Sequence, residues 1–125
     1  MENKGYLRTK LMEKQMEELD HLHNQIAKTL VDAGPADAKK IIARAKLALD
    51  GESCEYEYDY VDQQDKENWF IPDKLVSYHL RLLLVTMRDY YMQNNMTNGN
   101  ALWTGCEMIV EIPAEKIIIN LKYDE

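Results

Sequence analysis

Two stretches of alternating apolar and polar residues constrain the fold more than any other feature of the sequence. The first covers residues 42–49 and resumes over residues 54–60, after Asp50-Gly51. The second covers residues 106–123 and is interrupted by Pro113-Ala114-Glu115. A period of two is typical of strands with one buried face, and Asp-Gly between two such runs indicates a hairpin. The sequence therefore predicts two antiparallel hairpins.

The first hairpin has two candidate registers. A loop at Gly51-Glu52 sets Arg44 opposite Asp59, whereas a loop at Asp50-Gly51 moves every partner by two residues and keeps the character of both faces. Either register separates three tyrosines from three acids: Tyr56, Tyr58 and Tyr60 on one face, and Glu55, Glu57 and Asp59 on the other. We expect the tyrosines to pack beside small alanines of the neighbouring strand. The alternative is a platform that stacks nucleic-acid bases, against which the adjacent acids argue.

Helical periodicity precedes the first hairpin. Residues 7–31 carry apolar side chains at steps of three and four, from Leu11 to Leu30, and Gly34-Pro35 is a stop signal. The opposite face of this helix is charged, so the segment is amphipathic. We expect its apolar stripe to form one side of the core, and the alternative is the seam of a coiled-coil dimer.

A second helix is predicted over residues 72–94, with Pro72 in its first turn. It is apolar nearly all round, so we expect it to be the most buried helix, with His79 on its buried face. Residues 62–71 are expected to be a polar connection and residues 94–100 a loop. The order helix, hairpin, helix, hairpin predicts an α+β fold: a four-stranded antiparallel sheet with the helices packed on one face.

The length and composition fit one soluble domain over residues 1–125. The longest apolar runs are four residues, so no membrane span is predicted, and the first residues do not resemble a signal peptide. Two cysteines, Cys54 and Cys106, are too few for a disulfide scaffold and are expected to behave as small apolar residues. We therefore expect a cytoplasmic protein.

The whole net charge of −7 arises in one segment. Residues 50–65 hold seven of the 22 acidic residues and no Lys or Arg, so the rest of the chain balances 15 acids against 15 bases. This charge argues against direct binding of nucleic acid, which requires a basic surface. The acidic segment is either a solvated face that keeps the protein soluble or a binding surface for a basic partner.

The sequence offers little for catalysis. His21 and His23 lie about 200° apart around a helix, so they cannot share a metal ion. Glu55, Glu57 and Asp59 share a strand face, but alternate strand residues are about 7 Å apart and bases on the neighbouring strand compete for them. We therefore expect no metal, no other cofactor and no enzymatic activity, and we interpret the chain as a binding protein.

Two short motifs flank the second predicted hairpin. Residues 99–104 read Gly-Asn-Ala-Leu-Trp-Thr, and residues 120–125 read Asn-Leu-Lys-Tyr-Asp-Glu. With the leading helix and the tyrosine- and acid-rich hairpin, this layout resembles the YezG-like family of bacterial immunity proteins over about residues 15–125. That family similarly has a Trp-Thr pair before its last hairpin and an acidic Tyr-Asp tail after it. The closing turn, Pro113-Ala114-Glu115, departs from the Asp or Gly expected there, and the first helix is extended at its start.

The resemblance implies a cytoplasmic antitoxin that binds and blocks the C-terminal toxic domain, often a nuclease, of a secreted or contact-dependent bacterial toxin. A nuclease presents a basic groove to phosphate, and an acidic surface can occupy that groove or an adjacent basic patch. The candidate toxin-binding residues are Glu55, Glu57, Asp59, Asp62 and Asp65, with Trp69 as an aromatic anchor. For Trp69 the alternative is that it caps the core.

Two other hypotheses come from different classes of protein. The first is a homo-oligomeric scaffold or adaptor that assembles through the N-terminal amphipathic helix, whose methionines could adapt to a partner surface. The second is a small enzyme with a metal bound by carboxylates. Neither the cognate toxin nor the oligomeric state follows from the sequence.

Overall fold

A computed structural model of the protein describes residues 4–94, 96 and 102–123, with the backbone alone for residues 4–15. Its elements are α1 (Lys4–Ala33), β1 (Ala38–Leu47), β2 (Cys54–Asp62), β3 (Glu67–Trp69), α2 (Lys74–Gln93), β4 (Trp103–Glu111) and β5 (Lys116–Tyr123). The described strands form one antiparallel sheet in the order β3-β2-β1-β4-β5. The α+β prediction is confirmed. The prediction of four strands is wrong, because β3 forms inside the segment expected to be a polar connection.

The first hairpin pairs in the second of its two registers. Ala45 lies opposite Tyr56 and Arg44 opposite Glu57. This is the register of the loop at Asp50-Gly51, and the tyrosines and acids occupy opposite faces as predicted. The small side chain of Ala45 leaves room for the Tyr56 ring on the same face of the sheet.

The loop of this hairpin is longer than the two residues predicted. The Ala48 N–H donates to the Ser53 carbonyl at 3.0 Å, which leaves four residues between them. Gly51 adopts a φ of 74°, a conformation that favours glycine. The Asp50 carboxylate accepts the Glu52 N–H at 2.9 Å. The loop adds one residue on each side of Asp50-Gly51, so the strand register does not change.

The second hairpin pairs as predicted and joins the first through the central strand. Val110 lies opposite Ile117 and Glu111 opposite Lys116. β4 also pairs with β1, where Ala43 lies opposite Met108. β1 therefore has a neighbour on each side, and its alternate residues supply the middle of the buried face.

The core lies between one face of the sheet and the two helices. Its largest fully buried side chains come from both helices and from β1 and β4: Ile26, Leu30, Ile41, Leu47, Leu80, Leu84, Met87, Trp103 and Met108. The α1 stripe is thus part of the core at Leu22, Ile26 and Leu30, as predicted. Side chains of the stripe before residue 16 lie outside the described part, as do most of the loop predicted at residues 94–100 and the last two residues. No described helix has the length and apolar character needed to cross a membrane.

α2 differs from its prediction. It begins after Asp73, whose carboxylate accepts the Leu75 N–H at 2.9 Å as an N-cap. Only one side of the helix faces the core, and Leu75 and Tyr78 on the other side are exposed. Among the described side chains α2 is the more buried helix, as predicted, with five buried residues against three in α1. The prediction of a buried His79 is wrong, because this side chain is exposed. The sheet offers one face to two helices, so the far side of α2 has nothing in the described chain to pack against.

Candidate functional site

The face of the sheet opposite the helices carries the acids of β2. Alternation along β2 turns its tyrosines towards the helices and Glu55, Glu57 and Asp59 towards the uncovered face. Arg44 and Lys46 of β1 share this face, as do Glu107 and Ile109 of β4. This surface, called the open face below, is therefore charged over much of its width.

The tyrosines of β2 pack within the domain, which confirms their predicted role. The Tyr56 hydroxyl donates to the Ser77 carbonyl at 2.8 Å, and the hydroxyls of Tyr58 and Ser77 hydrogen bond at 2.8 Å. The Tyr56 and Tyr58 rings stack with centroids 5.4 Å apart, and Phe70 contacts Tyr58 from the side. Burial raises the pKa of both phenols, so they stay neutral. These rings fix α2 over β2 and are not a platform for bases.

Arg44 forms ion pairs with two acids at the centre of the open face. Its Nη1 lies 2.9 Å from Oδ2 of Asp59, and its Nε lies 3.1 Å from Oε2 of Glu107. The Asn120 amide donates to the other Glu107 oxygen at 3.2 Å. Hydrogen bonds from Asn120 and Arg44 lower the pKa of Glu107 although its partial desolvation opposes them. Arg44 therefore pairs with Asp59 diagonally and not with Glu57, its direct partner in the register.

Glu55 and Glu57 are the other two acids of β2 on the open face. Both side chains are exposed, and neither forms a salt bridge within the described part of the chain. Lys46 is one of the bases on β1 that were expected to compete for these acids, but it forms no salt bridge with a described residue either. Glu57 lies opposite Arg44 and Glu55 opposite Lys46 in the register, but neither acid forms an ion pair with a described residue, so both carboxylates stay exposed on the open face.

Asp62 is the last residue of β2, and Asp65 lies in the turn between β2 and β3. Asp62 is only 9% exposed, and its Oδ1 accepts the N–H groups of Gln64 at 2.8 Å and Lys66 at 2.9 Å. Asp65 has a φ of 64° and forms an ion pair with Lys39. Its burial and these two hydrogen bonds give Asp62 a structural role in holding the turn. We therefore leave Asp62 out of the set of contact residues proposed below.

Trp69 lies on the open face and is 72% exposed. The alternative that Trp69 caps the core is wrong, because β3 pairs Trp69 with Asp59 and alternation then turns the next residue, Phe70, towards the tyrosines. The centroid of the Phe70 ring lies 5.6 Å from that of the Tyr58 ring and 5.9 Å from that of the Tyr60 ring. Phe70 therefore has the packing role, and the Trp69 indole is free to contact a partner.

Further exposed apolar side chains follow Trp69 in the sequence. Ile71 is 80% exposed, and Leu75, Tyr78 and Leu82 are exposed on the outer side of α2. A groove of about 650 Å³ lies beside β2, with Glu57, Asp59, Trp69 and Ile71 in its walls. Exposed apolar residues gathered beside charged ones are typical of protein-binding surfaces.

Other reactive groups have structural surroundings. Cys54 and Cys106 are free thiols, and burial raises the pKa of Cys106 to about 12. Burial also raises the pKa of Cys54, so neither thiol is activated as a nucleophile. Among the described residues, no cluster of three or more His, Cys, Asp or Glu side chains is arranged to hold a metal ion.

Sequence reasoning missed Arg88 and its contact with Trp103. Arg88 is 3% exposed and donates hydrogen bonds to the carbonyls of Ala48, Leu49 and Trp103. Its guanidinium also lies 5.8 Å from the centre of the fully buried Trp103 ring. The signal for Arg88 was its position four residues after Leu84, on the buried stripe of α2. Together these residues attach the hairpin loop to α2 and to the start of β4.

No model of a known protein family matches this chain, and no curated protein matches it. The resemblance to the YezG-like family therefore stays a prediction. Of the motifs that carry it, Trp103 and Thr104 are described and buried, whereas residues 99–101, 124 and 125 lie outside the described residues.

Proposed function

We propose that the protein is an immunity protein that binds and neutralises the toxic domain of a cognate bacterial toxin. One observation carries the proposal: Glu55 and Glu57 are exposed without salt-bridge partners in the described chain, on the uncovered face of the sheet. The exposed Trp69 lies on the same face opposite Asp59 and lines a groove together with Glu57. Charged residues around an aromatic anchor are a common arrangement in protein interfaces.

The chemistry of this surface suits a basic partner. A nuclease domain must attract phosphate, so it carries the positive potential that complements these acids. Complementary charge accelerates encounter towards about 10⁸ M⁻¹s⁻¹ at low salt, and fast capture matters when the toxin arrives active. The resemblance to YezG-like immunity proteins supports the same class of partner. We infer a cytoplasmic binding role without catalysis and without direct contact to nucleic acid.

The proposed contact set is refined by the structure. Glu55, Glu57 and Trp69 are its centre. Asp59 forms an ion pair with Arg44, and Asp65 forms one with Lys39. Each of these acids must leave its present ion pair before it can bind a basic residue of the partner protein. We expect such paired acids to add less binding free energy than Glu55 and Glu57, because the existing pairs must be broken first.

The test is capture of the partner from the native host. Tagged protein is used at low and at high salt, and bound proteins are identified by mass spectrometry. The proposal predicts recovery at low salt of a basic, nuclease-like toxin domain whose DNA or RNA cleavage stops when the purified protein is added. Recovery of no such domain, or of one whose cleavage continues, would contradict it.

The alternative scaffold function retains one supporting observation. Met16, at the border of the apolar stripe of α1, is 62% exposed and could contact a second copy. Against it, Leu22, Ile26 and Leu30 of that stripe are buried in the protein's own core. Sedimentation equilibrium separates the two functions, because the scaffold requires a defined oligomer and the immunity function does not.

A further inference from the structure

The outer edge of β2 is covered for only part of its length. β3 pairs with Asp59, Tyr60 and Val61, and the Phe70 N–H adds one hydrogen bond to the Tyr58 carbonyl at 3.0 Å. The chain then leaves the sheet towards α2. Within the described part of the chain, no strand lies beside residues 54–57.

The hydrogen bond from Phe70 fixes which backbone groups face this gap. The N–H and C=O of a strand residue point to the same side, and successive residues alternate. Since the Tyr58 carbonyl points outward, Tyr56 and Cys54 also point outward. Glu55 and Glu57 point inward to β1, as the Ser53 carbonyl does when it accepts the Ala48 N–H. The open edge therefore presents the backbone groups of Cys54 and Tyr56.

The side chains around the edge differ between the two faces of the sheet. The face towards the helices carries apolar and aromatic groups, and Tyr56 and Phe70 of this face line the 650 Å³ groove. On the open face are Glu55 and Glu57, without salt bridges in the described chain, and the exposed Trp69. A strand added here would have one face against carboxylates and the other against apolar groups.

We propose that the free edge of β2 at residues 54–57 binds an extended segment of a partner protein as an additional antiparallel strand, with alternating basic and apolar residues. Exposed edges are templates for such pairing. In an antiparallel pair, opposite residues share a face, so Lys or Arg lies opposite Glu55 and Glu57 and an apolar residue opposite Tyr56. The identity of the partner rests on the proposed function, while the edge is tested without it.

The probe is the peptide acetyl-Lys-Val-Lys-Val-Lys-amide, added to isotope-labelled protein and followed by backbone amide NMR. Two further peptides carry two backbone N-methyl groups each, either on both valines or on the second and third lysines. If the peptide adds as an antiparallel strand, the N–H groups of its two valines hydrogen bond to the backbone of Tyr56 and Cys54. The N–H groups of the second and third lysines then point to solvent, so their methylation should not disturb the pairing. All three peptides have the same charge and sequence.

The expected result is that the parent and lysine-methylated peptides shift the amides of residues 54–58, while the valine-methylated peptide binds at least tenfold more weakly. Glu57→Lys should weaken binding of the parent peptide, while the amide spectrum of the variant stays that of a folded protein. Equal binding of the two methylated peptides, shifts confined to another surface, or no binding at millimolar peptide would overturn the proposal. Those outcomes leave toxin capture from the host unaffected, whereas peptide binding without toxin recovery would contradict only the proposed function.

Discussion

At the scale of single residues, Arg88 has the most consequential position in the core. A guanidinium that is taken out of water keeps its charge and must find acceptors, and Arg88 finds three backbone carbonyls. Two of them belong to the loop of the first hairpin, and the third belongs to β4. The geometry of the strand that carries the candidate site thus depends on a residue of α2 that lies on the other side of the sheet.

Replacing Arg88 by leucine should lower the free energy of unfolding by about 2–3 kcal/mol, since the carbonyls lose charge-assisted hydrogen bonds in a buried place. Urea denaturation measures the change. Arg81→Leu is the matched control on the same helix. Arg81 is partly exposed and donates to the Gly51 carbonyl at 2.6 Å, so this variant should lower the free energy of unfolding by only about 1 kcal/mol. Equal losses in the two variants would contradict the role given to Arg88.

The pKa of Glu107 provides a second test at this scale. Asn120→Ala removes the amide that contributes most to lowering this pKa, so the pKa should rise towards its ordinary value, as followed by NMR titration. A lowered pKa in the folded state stabilises the protein above pH 4.5, and this stabilisation is lost as the pH falls through the folded-state pKa. The stability difference between wild type and variant should therefore disappear in acid. A difference that grows in acid would contradict the assignment.

At the scale of elements, alternation was enough to predict both faces of the two hairpins. A strand of eight to ten residues repeats its pattern several times, and a shift by two residues does not alter it. β3 has three residues, Glu67–Trp69, which is too short for any period to be visible. It forms because the Asp62 turn returns the chain beside β2, so it depends on side-chain hydrogen bonds and not on periodicity.

The same distinction explains the error on His79 of α2 and the correct placement of the β2 acids on one face. The apolar residues of α2 were visible in the sequence, but their number did not reveal how many faces the helix could bury. That depends on the sheet having one available side. Conversely, the open-face position of Glu55 and Glu57 followed from alternation, while the ion pair of Arg44 with Glu107 did not, because β4 is distant in sequence from β1.

Asp62→Ala should weaken the β2–β3 hairpin. Two backbone N–H groups lose their acceptor, so the free energy of unfolding should fall by about 1–2 kcal/mol. Amide exchange of residues 67–70 should accelerate more than that of β4. Asp65→Asn is the control, because it removes an exposed ion pair and keeps a residue type that tolerates positive φ, with an expected loss below about 1 kcal/mol. Unchanged exchange in residues 67–70 of Asp62→Ala would show that the turn does not hold β3.

At the scale of the whole molecule, the net charge is concentrated where the sheet is uncovered. Residues 50–65 carry the entire acidic excess, and the fold distributes their roles unequally: Asp62 holds a turn, Asp59 and Asp65 are paired, and Glu55 and Glu57 are unpaired in the described chain. Of the exposed apolar residues, Trp69 and Ile71 line a groove together with Glu57. The account predicts that a basic partner binds there and that its affinity falls with salt.

The most direct measurement of this claim compares three proteins in the host capture experiment at low salt: wild type, Glu55→Lys/Glu57→Lys, and Glu17→Lys/Asp32→Lys. The two variants change the net charge equally, and Glu17 and Asp32 lie on exposed positions of α1. We predict that the β2 variant recovers at least about tenfold less toxin domain, since attraction becomes repulsion at two contacts, while the α1 variant recovers as much as wild type. Equal loss in both variants, or no loss in the β2 variant, would contradict the placement of the binding surface on the open face.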